Sequence, residues 1–248
     1  YLKVELLDIH AITPKLSGYW RGSISEQTSS TQTDLKNQKP SGCDLIATEF
    51  QSAGRCRLDR TFESAKSAGL LFSFFIEPTR KKEDWGFISL IAGAAVARSL
   101  NKFTNGSSYS CKWPNDILAN DKKIAGLLGE IYENGVVMGI GINITASSDE
   151  LPVPTASSVL IESDLVLNRN ELLSEICNEF RAIFEKWDSG SDLKDYYLSN
   201  CSTINKEVRV IGPTGEIQSK AIGISDSGAL LLADGAPITV GDLVHLRD

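Results

Sequence analysis

One stretch in the middle of the chain, residues 111–118 followed by residues 122–130, restricts the backbone more than any other. Pro114 fixes its own φ and favours an extended conformation at the residue before it. Asn115 and Asp116 follow as turn formers, so the pattern predicts three strands joined by a rigid turn and a tight turn. We therefore expect Lys112 to end a buried strand as a fixed positive charge, suited to a phosphate or carboxylate. A surface lysine beside a proline turn is the simpler alternative.

The rest of the first two hundred residues predicts a large α+β domain. Residues 44–50 predict a buried strand, and residues 69–76 are apolar enough for a central strand that is buried on both faces. Residues 85–100 predict a mostly buried helix. The clearest helix is predicted over residues 168–187, where apolar side chains recur at helical spacing, and a short helix follows over residues 193–199.

The pattern changes at about residue 203 to short strands and tight turns. Five strands are predicted there, over residues 208–211, 216–224, 229–233, 238–240 and 243–246. So many short strands in so few residues favour a small barrel. We therefore expect two domains, residues 1–200 and residues 201–248.

Composition excludes several classes of function. The net charge of the 248 residues is -7 and no long basic run occurs, which argues against a surface for duplex DNA. Five widely spaced cysteines and two histidines predict neither a zinc site nor a disulfide framework, and they favour a reducing compartment. The longest apolar run is too short to cross a membrane, and no signal peptide is visible. We expect a cytoplasmic protein.

Three further stretches could contact a small ligand. The hydroxyls of residues 30–31 can cap a helix, or they can hydrogen-bond a ligand at its N-terminus. Residues 51–60 carry three arginines beside a glycine, which form either a solvated basic loop or an anion-binding loop. Gly139 and Gly141 fall within a predicted strand, where glycine marks either a bulge or a close approach to the backbone.

These stretches together resemble the biotin–protein ligases. The resemblance rests on Lys112-Trp113-Pro114-Asn115-Asp116 and residues 123–130, with residues 30–32, 51–60 and 139–143 matching in the same order. Enzymes of that family activate biotin with ATP and transfer it to one lysine of a carrier protein. The resemblance implies a mixed sheet with flanking helices, as in class II aminoacyl-tRNA synthetases, plus an SH3-like C-terminal barrel. We expect the short form, without an N-terminal DNA-binding domain.

The resemblance also implies roles for individual residues. The catalytic residues would be Lys112, Arg57 and Arg60. Biotin would be bound by Ser30, Thr31, Gln32, Gln51, Gly54, Arg55, Cys56, Arg57, Lys112, Gly126, Leu128, Gly139 and Gly141. ATP and the adenylate would be bound by Arg57, Arg60, Phe62, Lys112, Asn115, Asn143 and Arg247. Asp116 would hold Mg²⁺.

The chain departs from the family pattern at four of these positions. Gln32 stands where the family has asparagine, and Phe62 stands where it has tryptophan. Cys56 and Asp59 replace two glycines of the arginine loop. If either position needs a positive φ, the strain is on the order of 1–2 kcal/mol, so restoring both glycines is predicted to speed the adenylation step.

The predicted reaction joins biotin to a lysine through biotinyl-5'-adenylate, with ATP and biotin as substrates and Mg²⁺ as cofactor. The expected partner is the biotin carboxyl carrier domain of an acyl-CoA carboxylase, and the expected assembly is a monomer or a homodimer. Two alternatives stay open at this point. One is a lipoate–protein ligase, and the other is a catalytically weak protein that binds biotin and regulates another process.

Overall fold

The structure is a computed structural model, and it describes residues 4–55, 61–62, 65–105, 108–212, 215–235 and 237–246. In these ranges the helices are α1 (Ile9–Ile12), α2 (Thr31–Asn37), α3 (Gly86–Thr104), α4 (Val159–Ser163), α5 (Arg169–Asp188) and α6 (Lys194–Leu198). The strands of the first two hundred residues are β1 (Arg21–Ser25), β2 (Asp44–Thr48), β3 (Gly54–Arg55), β4 (Thr61–Phe62), β5 (Gly69–Ile76), β6 (Tyr109–Lys112), β7 (Asp116–Ala119), β8 (Lys122–Tyr132) and β9 (Gly135–Asn143). The strands that follow are β10 (Glu207–Gly212), β11 (Gly215–Ile224), β12 (Leu230–Leu232) and β13 (Asp242–His245).

A mixed sheet of seven strands forms the centre of the fold, in the order β1-β2-β5-β9-β8-β7-β6. β1 and β2 are parallel, and the other neighbouring pairs are antiparallel. β5 is buried at every residue, as its apolar sequence predicted. The predicted mixed sheet with flanking helices is therefore confirmed.

The two long helices, α3 and α5, cover one face of this sheet. Phe74 of β5 packs against Phe180 of α5 and against Trp20, with ring centroids 4.6 and 5.3 Å apart. α5 begins where the sequence predicted, because the side chain of Asn168 accepts hydrogen bonds from the backbone N–H groups of the next turn. Within the described ranges, no helix has both the length and the apolar character needed to cross a bilayer.

The turn between β8 and β9 lies one residue earlier than its Asn-Gly sequence suggests. Tyr132 pairs with Gly135, so Glu133 and Asn134 form the turn, and Glu133 takes a φ of 51°. Gly135 is required for a different reason. A Cβ at this position would lie 2.3 Å from the carbonyl oxygen of Ile76 on the neighbouring strand β5.

The C-terminal segment folds as a small antiparallel sheet in the order β12-β11-β10-β13. The predicted strand over residues 238–240 is wrong, since Ile238 makes only an isolated bridge with Leu230. Pro237 has no N–H with which to continue a ladder, and the chain bends at Val240 before it enters β13. The arrangement is consistent with the expected SH3-like domain.

Candidate active site

A cavity of about 1130 Å³ opens on the other face of the large sheet and is lined by residues of both sheets. Most of the described residues that the sequence singled out lie along its wall. They are Ser30, Thr31, Gln32, Gln51, Arg55, Lys112, Asn115, Asp116, Gly126, Leu128, Gly139, Gly141 and Asn143. Gly54 is the exception. It is buried in β3 next to Arg55 and does not line the cavity.

The strand register explains why the sheet leaves room here. Lys112 of β6 pairs with Asp116, Asp116 pairs with Gly126, and Gly126 pairs with Gly141. Residues directly opposite each other in a ladder face the same side of a sheet. The row therefore has two charged side chains at one end and two glycines beside them, which keep the floor at backbone level. The second interpretation of the strand glycines, close approach of a ligand, fits this geometry.

The N-terminus of α2 forms a polar end of the cavity. Ser30 is the N-cap residue, but its hydroxyl makes no capping hydrogen bond, so the simple capping interpretation is wrong. The cap comes from a distant residue: Oε1 of Gln51 accepts from the N–H of Thr31 at 2.8 Å and from its Oγ1 at 3.0 Å. Oγ1 of Thr31 also lies 2.6 Å from Oγ of Ser73. Since both contacts use the oxygen of Gln51, its NH2 group remains to donate to a ligand.

Gln32 extends across this end of the cavity and lies against Gly139. A Cβ on Gly139 would lie only 2.6 Å from Cδ and Oε1 of Gln32, so the longer amide depends on this glycine. Its Nε2 donates to the carbonyl oxygen of Leu128 and to Oε2 of Glu130, both at 3.0 Å. Gln32 is 97% buried by these contacts, at 3% exposure.

Lys112 ends β6 at the cavity wall, as predicted, and its position is fixed through the next residue. The Trp113–Pro114 peptide bond is cis. The N–H of Trp113 donates to Oγ1 of Thr203, and its indole Nε1 donates to the carbonyl oxygen of Gly228, both at 3.0 Å. Burial lowers the pKa of Lys112, and Asp116 opposes that shift. An ammonium that has lost part of its hydration is well placed to bind an anion.

Asp116, the predicted Mg²⁺ ligand, forms an ion pair with Lys123, with 2.6 Å between Oδ1 and Nζ. The described residues contain no cluster of three or more His, Cys, Asp or Glu side chains that could hold a metal by themselves. Mg²⁺ is commonly bound by one or two carboxylates together with substrate phosphates and water. Asp116 therefore fits Mg²⁺ only as an ion that enters together with the phosphates of a ligand. Lys123 is a cavity cation that the sequence analysis did not assign.

Two asparagines hold the loops around the cavity through their amide nitrogens. Nδ2 of Asn115 donates to the carbonyl oxygen of Leu127 at 2.7 Å, which fixes the turn after Lys112. Nδ2 of Asn143 donates to the carbonyl oxygen of Ser157 at 3.0 Å. Each predicted nucleotide contact therefore has a structural hydrogen bond as well.

The C-terminal segment also lines the cavity, and sequence reasoning missed its basic residues there, Lys206, Lys220 and His245, as well as its acidic residues, Glu207 and Asp242. Burial, followed by the charges of Lys206 and Lys112, lowers the pKa of His245 to about 4, although Asp121 acts in the opposite direction. Nε2 of His245 lies 3.1 Å from Oγ1 of Thr203. The imidazole is therefore neutral at physiological pH, chiefly because it is buried. Only the predicted role of nearby Arg247 hinted at this contribution.

Several predicted residues lie outside the described part of the chain. They are Cys56, Arg57, Asp59, Arg60 and Arg247, together with the side chain of Phe62. Arg55 is the one arginine of residues 51–60 that lies within the described part of the chain. Its guanidinium forms an ion pair with Glu130, with Nη2 3.0 Å from Oε1.

Comparison with known proteins identifies the family. The chain is 33% identical to the biotin–[acetyl-CoA-carboxylase] ligase of Mycobacterium tuberculosis, over 93% of this chain and 91% of that protein. The chain belongs to the biotin protein ligase family. Residues 24–146 match the biotin/lipoate A/B protein ligase family profile, and residues 203–245 match the profile of the biotin protein ligase C terminal domain. The second match includes the cavity residues Lys206, Lys220 and His245.

Other biotin ligases agree with this assignment. The Escherichia coli bifunctional ligase/repressor BirA is 30% identical over 98% of this chain and 79% of its own length. Among solved structures, the biotin protein ligase from Aquifex aeolicus in complex with biotin and ATP superposes with a TM-score of 0.81 at 26% identity. That superposition covers 91% of this chain and 99% of the Aquifex chain, so the fold is shared across both sheets.

Proposed function

We propose that this chain is an ATP-dependent biotin–protein ligase that works in two steps. In the first, a carboxylate oxygen of biotin attacks the α-phosphorus of ATP, and the bond from that phosphorus to the pyrophosphate oxygen breaks. The products are biotinyl-5'-adenylate and pyrophosphate. In the second step, the neutral amine of an acceptor lysine attacks the acyl carbon, AMP leaves, and the amine proton passes to solvent.

The observation that carries this proposal is the position of Lys112 in one cavity with a hydrogen-bonding end and an end that carries four lysines. The first step must bring two anions together, so a fixed positive charge between them is the main catalytic requirement. Lys112 would meet the carboxylate and the α-phosphate. Lys123, Lys206 and Lys220, which line the same cavity, would neutralise the remaining phosphate charge. Arg57 and Arg60 are proposed to assist from the arginine loop, on the sequence resemblance alone.

The register of the sheet fits an elongated ligand. Ser73 pairs with Gly139, and Leu71 two residues earlier pairs with Gly141, so the polar end and the Lys112 row are successive same-face rows of the sheet, about 7 Å apart. Within its row, Lys112 lies three strands from Gly141, about 14 Å at the usual strand spacing. A urea group held at the first row would direct a short aliphatic chain over the glycines and its carboxylate towards the side chain of Lys112.

Mg²⁺ is proposed as a companion of ATP, with Asp116 as its protein ligand. When bound, the ion would withdraw charge from the phosphates. The Lys123–Asp116 ion pair, at 2.6 Å, would then rearrange or contribute its ammonium directly to a phosphate oxygen.

Pyrophosphate exchange tests this function. We expect the purified full chain to incorporate labelled pyrophosphate into ATP when biotin is present, and to transfer biotin to a biotin carboxyl carrier domain. Because one matched family profile includes lipoate ligases, lipoate is the matched control substrate. Exchange driven by lipoate in place of biotin would make the chain a lipoate ligase. Exchange with neither acid, together with tight biotin binding, would favour the regulatory alternative.

We further propose the biotin carboxyl carrier domain of an acyl-CoA carboxylase as the acceptor, a monomer or homodimer as the assembly, and no nucleic-acid partner. The division into domains near residue 200 is also a proposal. A cytoplasmic location is supported by Cys111 and Cys201, which lie directly opposite each other across a parallel bridge and remain free thiols.

A further inference from the structure

Glu130 joins three separate groups at the polar end of the cavity, although it does not line the cavity itself. Its Oε2 accepts from Nε2 of Gln32 at 3.0 Å and from Nζ of Lys36 at 2.8 Å. Its two oxygens also accept from the guanidinium of Arg55, at 3.0 and 3.1 Å. A carboxylate has only acceptors to offer, and all its partners here are donors. An amide at position 130 would bring a further NH2 group into this cluster of donors.

The contact with Gln32 fixes which end of its amide a ligand meets. An amide NH2 group has two hydrogens, and the two acceptors of Gln32 are Glu130 and the carbonyl oxygen of Leu128. The oxygen is therefore the group left for a ligand, and it lies against Gly139 inside the cavity. Gln51 has the opposite arrangement, because its oxygen is used by Thr31 and its NH2 group remains.

The polar end therefore displays one acceptor and one donor from two oriented amides. A cyclic urea requires this pair, because it carries N–H donors beside a carbonyl acceptor. We propose that Glu130 is a positioning residue for biotin recognition, which holds the oxygen of Gln32 towards a ureido N–H. This inference rests on the proposed function. It also gives a physical account of the Gln32 replacement, since the longer side chain reaches Glu130 and the site gains an orienting partner.

The Arg55 contact has a smaller part in this proposal. The Arg55 side chain is 44% exposed, against 22% for Glu130, and half-exposed ion pairs contribute little by themselves. Gln32 is only 3% exposed, so a wrongly oriented amide there leaves a buried polar group unpaired. We therefore expect Glu130 to act on biotin affinity chiefly through Gln32.

A double-mutant cycle with calorimetric biotin binding tests this in the full chain without ATP. Glu130→Gln allows the new amide to donate to Gln32, which turns the Gln32 oxygen away from the ligand. We expect the Kd for biotin to rise about tenfold, the size of one misdirected buried hydrogen bond. Glu130→Asp keeps the carboxylate and should cost about twofold. Glu133→Gln, which removes an exposed acid from the adjoining turn, should leave the Kd unchanged.

The decisive measurement is Glu130→Gln in a Gln32→Ala background, where it should change the Kd by no more than about twofold. An equal tenfold loss with and without Gln32 would overturn the proposal, and so would a native Kd in Glu130→Gln itself. Thermal unfolding of each variant checks that it is folded. If Glu130→Gln does not fold, Glu130→Asp takes its place in the cycle. Failure of the native chain to bind biotin would instead refute the proposed function.

Discussion

The two ends of the cavity carry different kinds of chemical group. The end at the N-terminus of α2 consists of hydroxyls, two amides and strand glycines, all from residues before 145. The end around Lys112 carries four lysines among acidic side chains, and two of these lysines, Lys206 and Lys220, come from the C-terminal segment. Shape and hydrogen-bond direction decide what the first end accepts, whereas the placement of individual ammonium groups decides what the second accepts.

This difference follows from the two ligands. A urea is neutral and small, so it is recognised by groups held rigidly at fixed distances, and a strand with glycines gives such a floor. A triphosphate is highly charged, so several flexible lysines from separate elements can share the task. Substitutions at the first end should therefore weaken biotin binding, and substitutions at the second should weaken ATP binding. Substitution of Lys112, which lies between them, should slow the reaction between the two.

Lys112→Ala should give the largest effect. It removes the one ammonium placed between the two anions, so we expect the rate of adenylate formation to fall at least a hundredfold, about 3 kcal/mol. Single-turnover formation of biotinyl-adenylate measures it. Lys81→Ala, an exposed lysine on a loop far from the cavity, is the matched control and should keep the native rate. A Lys112→Ala variant that biotinylates a carrier domain at the native rate would contradict the mechanism.

Gly139→Ala should give the next largest effect and should act on biotin alone. The added Cβ would lie 2.6 Å from Gln32, which must then move away from its two acceptors. We expect the Kd for biotin to rise on the order of thirtyfold, about 2 kcal/mol, with the KM for ATP nearly unchanged. Gly18→Ala is the control, because a Cβ there meets nothing within 4 Å. An equal rise in the Kd for biotin and the KM for ATP would contradict the separation of the two ends.

Removing two cations from the C-terminal segment should show the reverse selectivity. For the Lys206→Ala/Lys220→Ala double variant we expect the KM for ATP to rise about fivefold, with biotin affinity unchanged, because solvent-accessible lysines each contribute modestly. The rise should shrink in high salt. Lys81→Ala/Lys186→Ala removes the same charge from exposed positions elsewhere and controls for net charge. An unchanged KM for ATP would confine nucleotide binding to the large domain.

The sequence predicted the parts of this site that depend on local pattern. The apolar run of β5, the stripe of α5 and the rigid turn after Lys112 each place their residues without help from distant segments. The missed features all depend on long-range packing. Gln51 caps α2 from twenty residues away in sequence, and Lys206 reaches the cavity only because Trp113 is tied to Thr203 and Gly228. No local spacing encodes such contacts.

His245 gives the smallest expected effect and tests how strongly the second end disfavours a further positive charge through burial and its nearby lysines. Its pKa in the folded protein, about 4, lies below the ordinary value of 6.5. The unfolded chain therefore binds a proton between about pH 6.5 and pH 4 that the folded chain resists, so this histidine destabilises the fold as the pH falls through that window. The surrounding charged groups are Lys206, Lys112 and Asp121.

Urea unfolding at pH 7 and pH 5 measures the contribution of His245. Because the ring is partly exposed, we expect its share of the acid destabilisation to be about 1 kcal/mol. In His245→Gln the drop in the free energy of unfolding between the two pH values should shrink by that amount. Exposed His10→Gln should keep the native drop. A His245→Gln variant as acid-sensitive as the native chain would mean that burial and the charges of Lys206 and Lys112 do not lower the pKa of the ring.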